Sequence, residues 1–179
     1  MKKLVLAIAL ATVSLVSYAQ VYVGGQASFW RDWIDGANST QVTIAPEAGY
    51  VLNDNWAIGT TFGYTYAYNS GAKLNGFKVT PYARYTFAKL GNVNLFVDGG
   101  VGFGTYKIED AGDAQNSFEV GVKPGVAVNL TEKISFVAHV GFLGYRDADD
   151  AVSESILGKK GFGFDLDGNA LSFGLYYNF

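Results

Sequence analysis

The 179-residue chain has no cysteine. That excludes disulfides, thiolate metal sites, cysteine nucleophiles and lipid attachment at a leader cysteine. It has one histidine, His139, so the catalytic inventory is thin. Basic residues are outnumbered, thirteen to sixteen, and with no basic face to hold phosphates no nucleic-acid partner is expected. Beyond residue 20 no apolar run approaches the ~20 residues that a membrane-spanning helix needs. Yet 49% of the chain is hydrophobic and 16% is aromatic, with 23 glycines. A membrane protein without spanning helices must be a closed barrel, because lipid offers unpaired backbone groups no partner.

The first residues have the build of a secretory signal: Lys2 and Lys3, an apolar run from Leu4 to Val16, then Ser17-Tyr18-Ala19. Cleavage after Ala19 makes residues 1–19 a signal peptide and Gln20 the first residue of a single domain, 20–179. Loss of the two lysines leaves eleven basic against sixteen acidic side chains, a formal charge of −5.

From Gln20 onward the pattern alternates with a period of two, which marks strands with one apolar face. In the last segment Leu171, Phe173, Leu175, Tyr177 and Phe179 share one face, opposite Ala170, Ser172, Gly174, Tyr176 and Asn178. Seven earlier segments read alike. The fifth presents Leu95, Val97, Val101 and Phe103, and the seventh Ile134, Phe136, Ala138, Val140 and Phe142. The opposite faces carry Gly, Ala, Ser, Thr and a few charges. The large side chains share their face with Pro46, Pro81 and Pro124, so the apolar face points to lipid and the small polar face to a narrow lumen.

Connections alternate in length. Tight turns at residues 53–55, 89–92 and 131–133 alternate with longer polar stretches at 32–40, 69–75, 109–116 and 147–168. Short periplasmic turns and long external loops are the rule in such barrels. The fold class expected is all-β: an eight-stranded antiparallel up-and-down transmembrane β-barrel with both termini in the periplasm. Tyr50, Trp56, Tyr85, Phe87, Tyr177 and Phe179 form one expected aromatic girdle, and Trp30, Trp33, Tyr66, Tyr68, Tyr106 and Tyr145 the other.

Inward parity collects Glu47, Lys78, Arg84, Asp98, Glu119 and Lys123, three acids against three bases, together with His139. An ionic network that plugs the lumen is expected, with Arg84 between Glu47 and Asp98, because a guanidinium fork can serve two carboxylates. Counting from the short turns puts Glu47, Arg84, Asp98 and Lys123 in the periplasmic half, with Lys78 and Glu119 higher. Asp147, Asp149, Asp150 and the run Asp165-Leu166-Asp167-Gly168-Asn169 offer hard oxygens of the kind calcium prefers. They read more simply as solvated acidic loops, so no metal and no cofactor is expected.

The Gly/aromatic segment Val97-Asp98-Gly99-Gly100-Val101-Gly102-Phe103-Gly104, the segment 123–130 and the terminal Phe179 resemble the bacterial outer-membrane β-barrel family. This family of small porin-like proteins includes outer membrane protein X and the transmembrane domain of outer membrane protein A. The resemblance covers Gln20 to Phe179 and implies an outer-membrane location in a Gram-negative bacterium, among outer-membrane lipids and lipopolysaccharide. It also implies that Phe173, Leu175, Tyr177 and Phe179 are an assembly signal read by the barrel-assembly machinery. A lipid A deacylase of this fold uses a histidine followed two positions on by serine; here that position is Gly141, and no enzyme is expected. The function expected is structural or interactive, with the external loops as the working surface and residues 147–168 as the longest site for an extracellular partner. A porin-like channel for small solutes is the alternative, and a lipid-modifying enzyme the third.

Deleting Phe179 is expected to lower the yield of folded barrel in cells by more than it lowers stability after refolding in detergent. Equal losses in the two assays would mean that the residue only packs.

Overall fold

A computed structural model of the chain describes residues 21–34, 37–69, 72–109, 114–149, 160–165 and 171–179. The proposed signal peptide and Gln20 lie outside these residues. Ten strand segments follow one another: β1 (Val21–Ile34), β2 (Ala37–Val51), β3 (Trp56–Asn69), β4 (Ala72–Leu90), β5 (Val93–Ile108), β6 (Gln115–Asn129), β7 (Ile134–Val140), β8 (Phe142–Ala148), β9 (Gly161–Asp165) and β10 (Leu171–Asn178). β1 to β6 pair antiparallel in sequence order. β6 then pairs with both β7 and β8, β7 with β10, and β8 with β9. β10 returns to β1, with Tyr22 opposite Asn178 and Gln26 opposite Gly174. With β7 and β8 as one stave and β9 and β10 as the next, the sheet is a closed eight-stranded antiparallel barrel.

Alternation decides what the outside looks like. Ile44, Ile58, Phe62, Phe103, Phe173 and Leu175 are all exposed, an arrangement that only a hydrocarbon surround makes favourable. At one end Tyr50, Trp56, Tyr85, Phe87, Tyr177 and Phe179 form an outward ring. Trp56 packs on its cross-strand partner Tyr85 with ring centroids 4.8 Å apart. At the other end Tyr145 is exposed and Tyr66 and Tyr68 are half-buried. The side chains of Trp30 and Trp33 lie outside the described residues. Tyr106 leaves the expected girdle: it is 4% exposed and points into the lumen, because its even number gives it the parity of Phe96 and Asp98 on β5.

The seventh stave changes parity midway. Gly125 of β6 faces His139, but Val122 faces Leu143, so three residues of β6 span four of the stave. Gly141, with φ of 71°, is the extra residue of this bulge, in a backbone region that favours glycine. The switch overturns the expected lipid-facing position of Phe142, which is 5% exposed inside the barrel, and turns Leu143 and Tyr145 outward instead.

The short turns hold as expected and each has its own chemistry. Asn53 Oδ1 accepts the backbone N–H groups of Asn55 and Trp56, both at 3.0 Å. Thr131 Oγ1 accepts those of Lys133 and Ile134, at 3.2 and 3.0 Å. Gly91 takes a φ of 65° in the third. The long connections differ from expectation. Ile34 pairs with Ala37 and Asn69 with Ala72, so the stretches 32–40 and 69–75 are largely strand. Polar composition marks where a strand leaves lipid; ladder hydrogen bonds carry it further, because backbone pairing is as satisfactory beyond the bilayer as within it. Within the expected loop 147–168, β9 is strand and pairs with β8, while 150–159 and 166–168 lie outside the described residues.

A methyl group at Gly144 would fall on the Val120 carbonyl oxygen and 2.5 Å from Gly121 Cα, whereas Gly163 has open space around it. Gly144→Ala is therefore expected to cost ~1–3 kcal/mol of overpacking. Gly163→Ala should leave the unfolding free energy in detergent nearly unchanged, and equal effects of the two would contradict the packing assigned to Gly144.

Candidate functional site

The lumen of an eight-stranded barrel is wide enough for side chains and little else. Here a layer of buried groups from β1, β2, β4, β5, β7 and β10 closes it. At its centre Arg84 of β4 donates through Nε to Asp98 Oδ1 at 2.7 Å and through Nη2 to Oδ2 at 2.8 Å, a two-point fork. The same Nη2 lies 3.6 Å from Glu47 Oε1. Arg84 thus stands between the two carboxylates, bonded to Asp98 and in looser ionic contact with Glu47. Its guanidinium carbon sits 4.0 Å from the centroid of Phe96, with Tyr22, Tyr82 and Tyr176 around it at 5.4–5.6 Å.

Each partner is held in turn. The Tyr82 hydroxyl donates to Glu47 Oε1, and the Thr61 hydroxyl to Oε2 at 3.4 Å. Tyr22 bonds Tyr82 through the hydroxyls and stacks on Tyr176 at 5.5 Å. His139 Nε2 lies 2.8 Å from Asp98 Oδ2, while the Gln26 amide donates to Nδ1 at 3.3 Å. That pairing puts the ring proton on Nε2, donated to Asp98. With Gln26 on the second nitrogen, both ring nitrogens of His139 are engaged and the ring is oriented.

A second cluster lies on the loop side of this layer. Glu119 of β6 receives Lys78 Nζ at 2.7 Å and Lys123 Nζ at 3.2 Å, with Arg146 Nε at 3.7 Å. Lys123 joins Glu119 rather than the Arg84 layer. Counting from the turns ranks residues along one strand, but barrel stagger offsets neighbours, and the lysine stem adds its own reach. Arg146 escapes the sequence pattern altogether, since only the Gly141 bulge turns it inward.

The large aromatic content of the lumen is the other departure. The inward face was expected to hold small residues and charges, yet Tyr22, Tyr82, Phe96, Tyr106 and Tyr176 fill it. A signal for them exists in the register: each is paired directly with glycine. Tyr22 faces Gly49, Tyr82 faces Gly59 and Gly100, Phe96 faces Gly125, Tyr106 faces Gly76, and Tyr176 faces Gly24. At Gly125 a methyl group would collide with the Phe96 ring. The glycines supply the volume into which the rings lie.

The layer separates two cavities. One of about 210 Å³, on the loop side, is lined by Lys78, Glu119, Lys123, Tyr106 and Phe142, with Glu47, Asp98 and His139 at its floor. One of about 270 Å³, on the turn side, is lined by Arg84, Phe96, Tyr22 and Tyr176.

The sequence matches the family model of the outer membrane protein beta-barrel domain over residues 4–179. The chain belongs to the outer-membrane β-barrel family. Its place is therefore the bacterial outer membrane. Among solved structures, the N-terminal β-barrel domain of OprF from Pseudomonas aeruginosa aligns with a TM-score of 0.56 at 16% identity, over 90% of this chain and 98% of that one. Neisserial surface protein A aligns at 0.53 and 18% identity, covering 89% and 97%. OprG, also from Pseudomonas aeruginosa, aligns at 0.53 and 14%, covering 90% and 96%. At these identities the likeness is one of fold. No curated protein matches the sequence.

Within this family member, Arg84→Ala is expected to cost ~3–5 kcal/mol, because it strands Asp98 and Glu47 without their cation. A double-mutant cycle should give strong coupling between Arg84 and Asp98, which share two hydrogen bonds, and weaker coupling between Arg84 and Glu47 at 3.6 Å. Additive effects at Arg84 and Asp98 would show that the pair does not interact.

Proposed function

We propose that the protein is a plugged membrane anchor whose external hairpins are its working surface. The observation that carries this reading is the Arg84 layer, where four ionisable or basic side chains and four rings, all 9% exposed or less, cross the lumen. A solute would have to displace a two-point ion pair and the rings stacked on it. Ion pairs lie at the rim: Lys73 to Glu109 at 3.0 Å beside the β4–β5 pair and Lys160 to Asp147 at 2.8 Å beside β8 and β9. Loops carried on a rigid scaffold suit recognition of a protein or other surface partner, and residues 147–168 are the longest connection.

The outward girdles suit lipid headgroups and, on the external leaflet, lipopolysaccharide. Phe173, Leu175, Tyr177 and Phe179 lie in one row on the exposed outer face of the last strand, with the rings of Tyr177 and Phe179 edge to face at 4.9 Å. That row is available to an assembly factor before the barrel closes. The reading has no catalytic role for the lumen, since the one oriented histidine is tied to Asp98 and Gln26.

In planar bilayers the folded protein is expected to show no steady conductance, and epitope tags within residues 150–159 should be exposed on intact cells. Steady conductance would replace this reading with a porin-like channel for small solutes. Antibody access to tags at residues 53–55 instead would invert the orientation.

A further inference from the structure

The structure assigns a side entrance to the loop-side cavity. We propose that a single-chain amphiphile with an uncharged, hydroxyl-bearing head, of the monoacylglycerol kind, enters it from the membrane through a seam in the wall beside β1. The seam begins where the closing ladder stops. Among the described residues β1 and β10 pair from Tyr22 and Asn178 to Gln26 and Gly174 and no further. Yet β1 goes on pairing with β2 as far as Ile34, and β10 pairs with β7 from Leu171 onward. Ala27, Ser28 and Phe29 therefore continue toward the loops without a ladder to the last stave. Beyond them β9 pairs, among the described residues, with β8 alone. The stave is broken at that level, since residues 166–170 join β9 to β10 where Gly141 alone joins β7 to β8.

Both faces of the seam point to an amphiphile. Phe162, Phe164 and Phe29 are 80%, 73% and 66% exposed, the highest values among the exposed large hydrophobic side chains described. Phe162 and Phe164 lie on β9 and Phe29 on β1, so the barest rings border the gap, where a paired neighbour would have shielded them. On the inner face Ser28 has the parity of Tyr22 and Gln26 and is nevertheless exposed. Gln26 and Ser172, at the end of the seam, line the loop-side cavity together with Thr43, the cross-strand partner of Ser28. The backbone makes a matching demand. Val21 O accepts from Phe179 N at 3.0 Å, so by alternation Ala27 and Phe29 turn their own N–H and C=O groups toward the seam. Hydrocarbon cannot satisfy such groups, and leaving them bare is costly. An alkyl chain ending in hydroxyls meets both the rings and the backbone.

The cavity selects the head. Its charges are engaged with one another: Lys78 and Lys123 with Glu119, Asp98 with Arg84 and His139, and Glu47 with Tyr82 and Arg84. Three carboxylates against two lysines leave no surplus positive charge for an anionic head. The lining offers a guest neutral groups near the seam, the hydroxyls of Thr43, Thr65 and Ser172. A volume of about 210 Å³ takes a head of glycerol size, since one water needs only ~10–15 Å³ counted the same way. The Arg84 layer is the floor, so the guest is held and not passed through.

Photolabelling of the refolded mature barrel tests this, in phosphatidylcholine nanodiscs with a trace of monoacylglycerol carrying a diazirine in its acyl chain. Adducts mapped by mass spectrometry are expected at Phe29, Phe162 and Phe164 in preference to Phe77 and Phe103 on the far wall. Unlabelled monoacylglycerol should displace them, and the unlabelled fatty acid should not. Phosphatidylcholine with the same diazirine should label all these rings alike. Ser172→Ala should raise the competitor concentration needed about fivefold, the loss of one hydrogen bond. Ser28→Phe, which fills the gap with a ring, should remove the preference. Each variant is scored on folded protein, and Ser172→Ala, which removes a single oxygen, keeps the test open if Ser28→Phe does not fold. The proposal is overturned by adducts spread evenly around the wall, by a preference that phosphatidylcholine shares, by failure of unlabelled monoacylglycerol to compete, or by unchanged competition in Ser172→Ala. None of these readouts depends on conductance or loop exposure, so the anchor reading keeps its own test.

Discussion

Lipid cannot hydrogen-bond to a peptide group, and this constraint shapes everything else in the chain. It forces the strands to pair around a complete circle, from β1 to β6 and back through β10 to β1. A circle of eight strands leaves a bore that side chains must fill. Apolar filling is available only where the barrel also offers volume, and the glycines opposite Tyr22, Tyr82, Phe96, Tyr106 and Tyr176 provide it. These six glycines, Gly24, Gly49, Gly59, Gly76, Gly100 and Gly125, are thus a packing device. A glycine in a strand weakens the strand on its own, but a ring lying over it recovers contact and shields the backbone.

Much of this was legible without coordinates, for a simple reason. The lipid-facing side of a strand is selected for one property, so Leu171 to Phe179 and its seven counterparts betray their parity through size and hydropathy alone. The lumen-facing side is not selected that way. Its residues answer to neighbours on two other strands, and the register that brings Phe96 opposite Gly125, or Glu119 opposite Arg146, is invisible until the sheet is assembled. That is why parity collected the inward charges but counting from the turns misplaced Lys123, and why the rings other than Tyr176 went unnoticed among them.

The two misplaced side chains have different causes. Tyr106 was read by its position near a loop, although its parity on β5 already made it a lumen residue. Phe142 was read by parity, and parity failed because Gly141 inserts a residue. A bulge leaves only a faint trace in sequence: after His139 the alternation runs Val140, Gly141, Phe142, Leu143, Gly144, Tyr145, and two adjacent large apolar residues break the rhythm. Such a break near glycine is the signal that could have located the switch.

Buried ion pairs add little net stability, because desolvation consumes most of what attraction returns. Their presence here follows better from specificity. A strand in a barrel has apolar residues at every second position, so a slip of two residues leaves the lipid face nearly as good as before. The lumen charges do not tolerate that slip. Arg84 is the direct cross-strand partner of Asp98, Asp98 of Lys123, and Glu119 of Arg146, which ties β4, β5, β6 and β8 to one register. Moving any of these strands by two residues would leave an acid or a base buried without a partner, at a cost comparable to much of the stability of a domain. The same groups that fill the bore therefore hold the sheet to a single pairing.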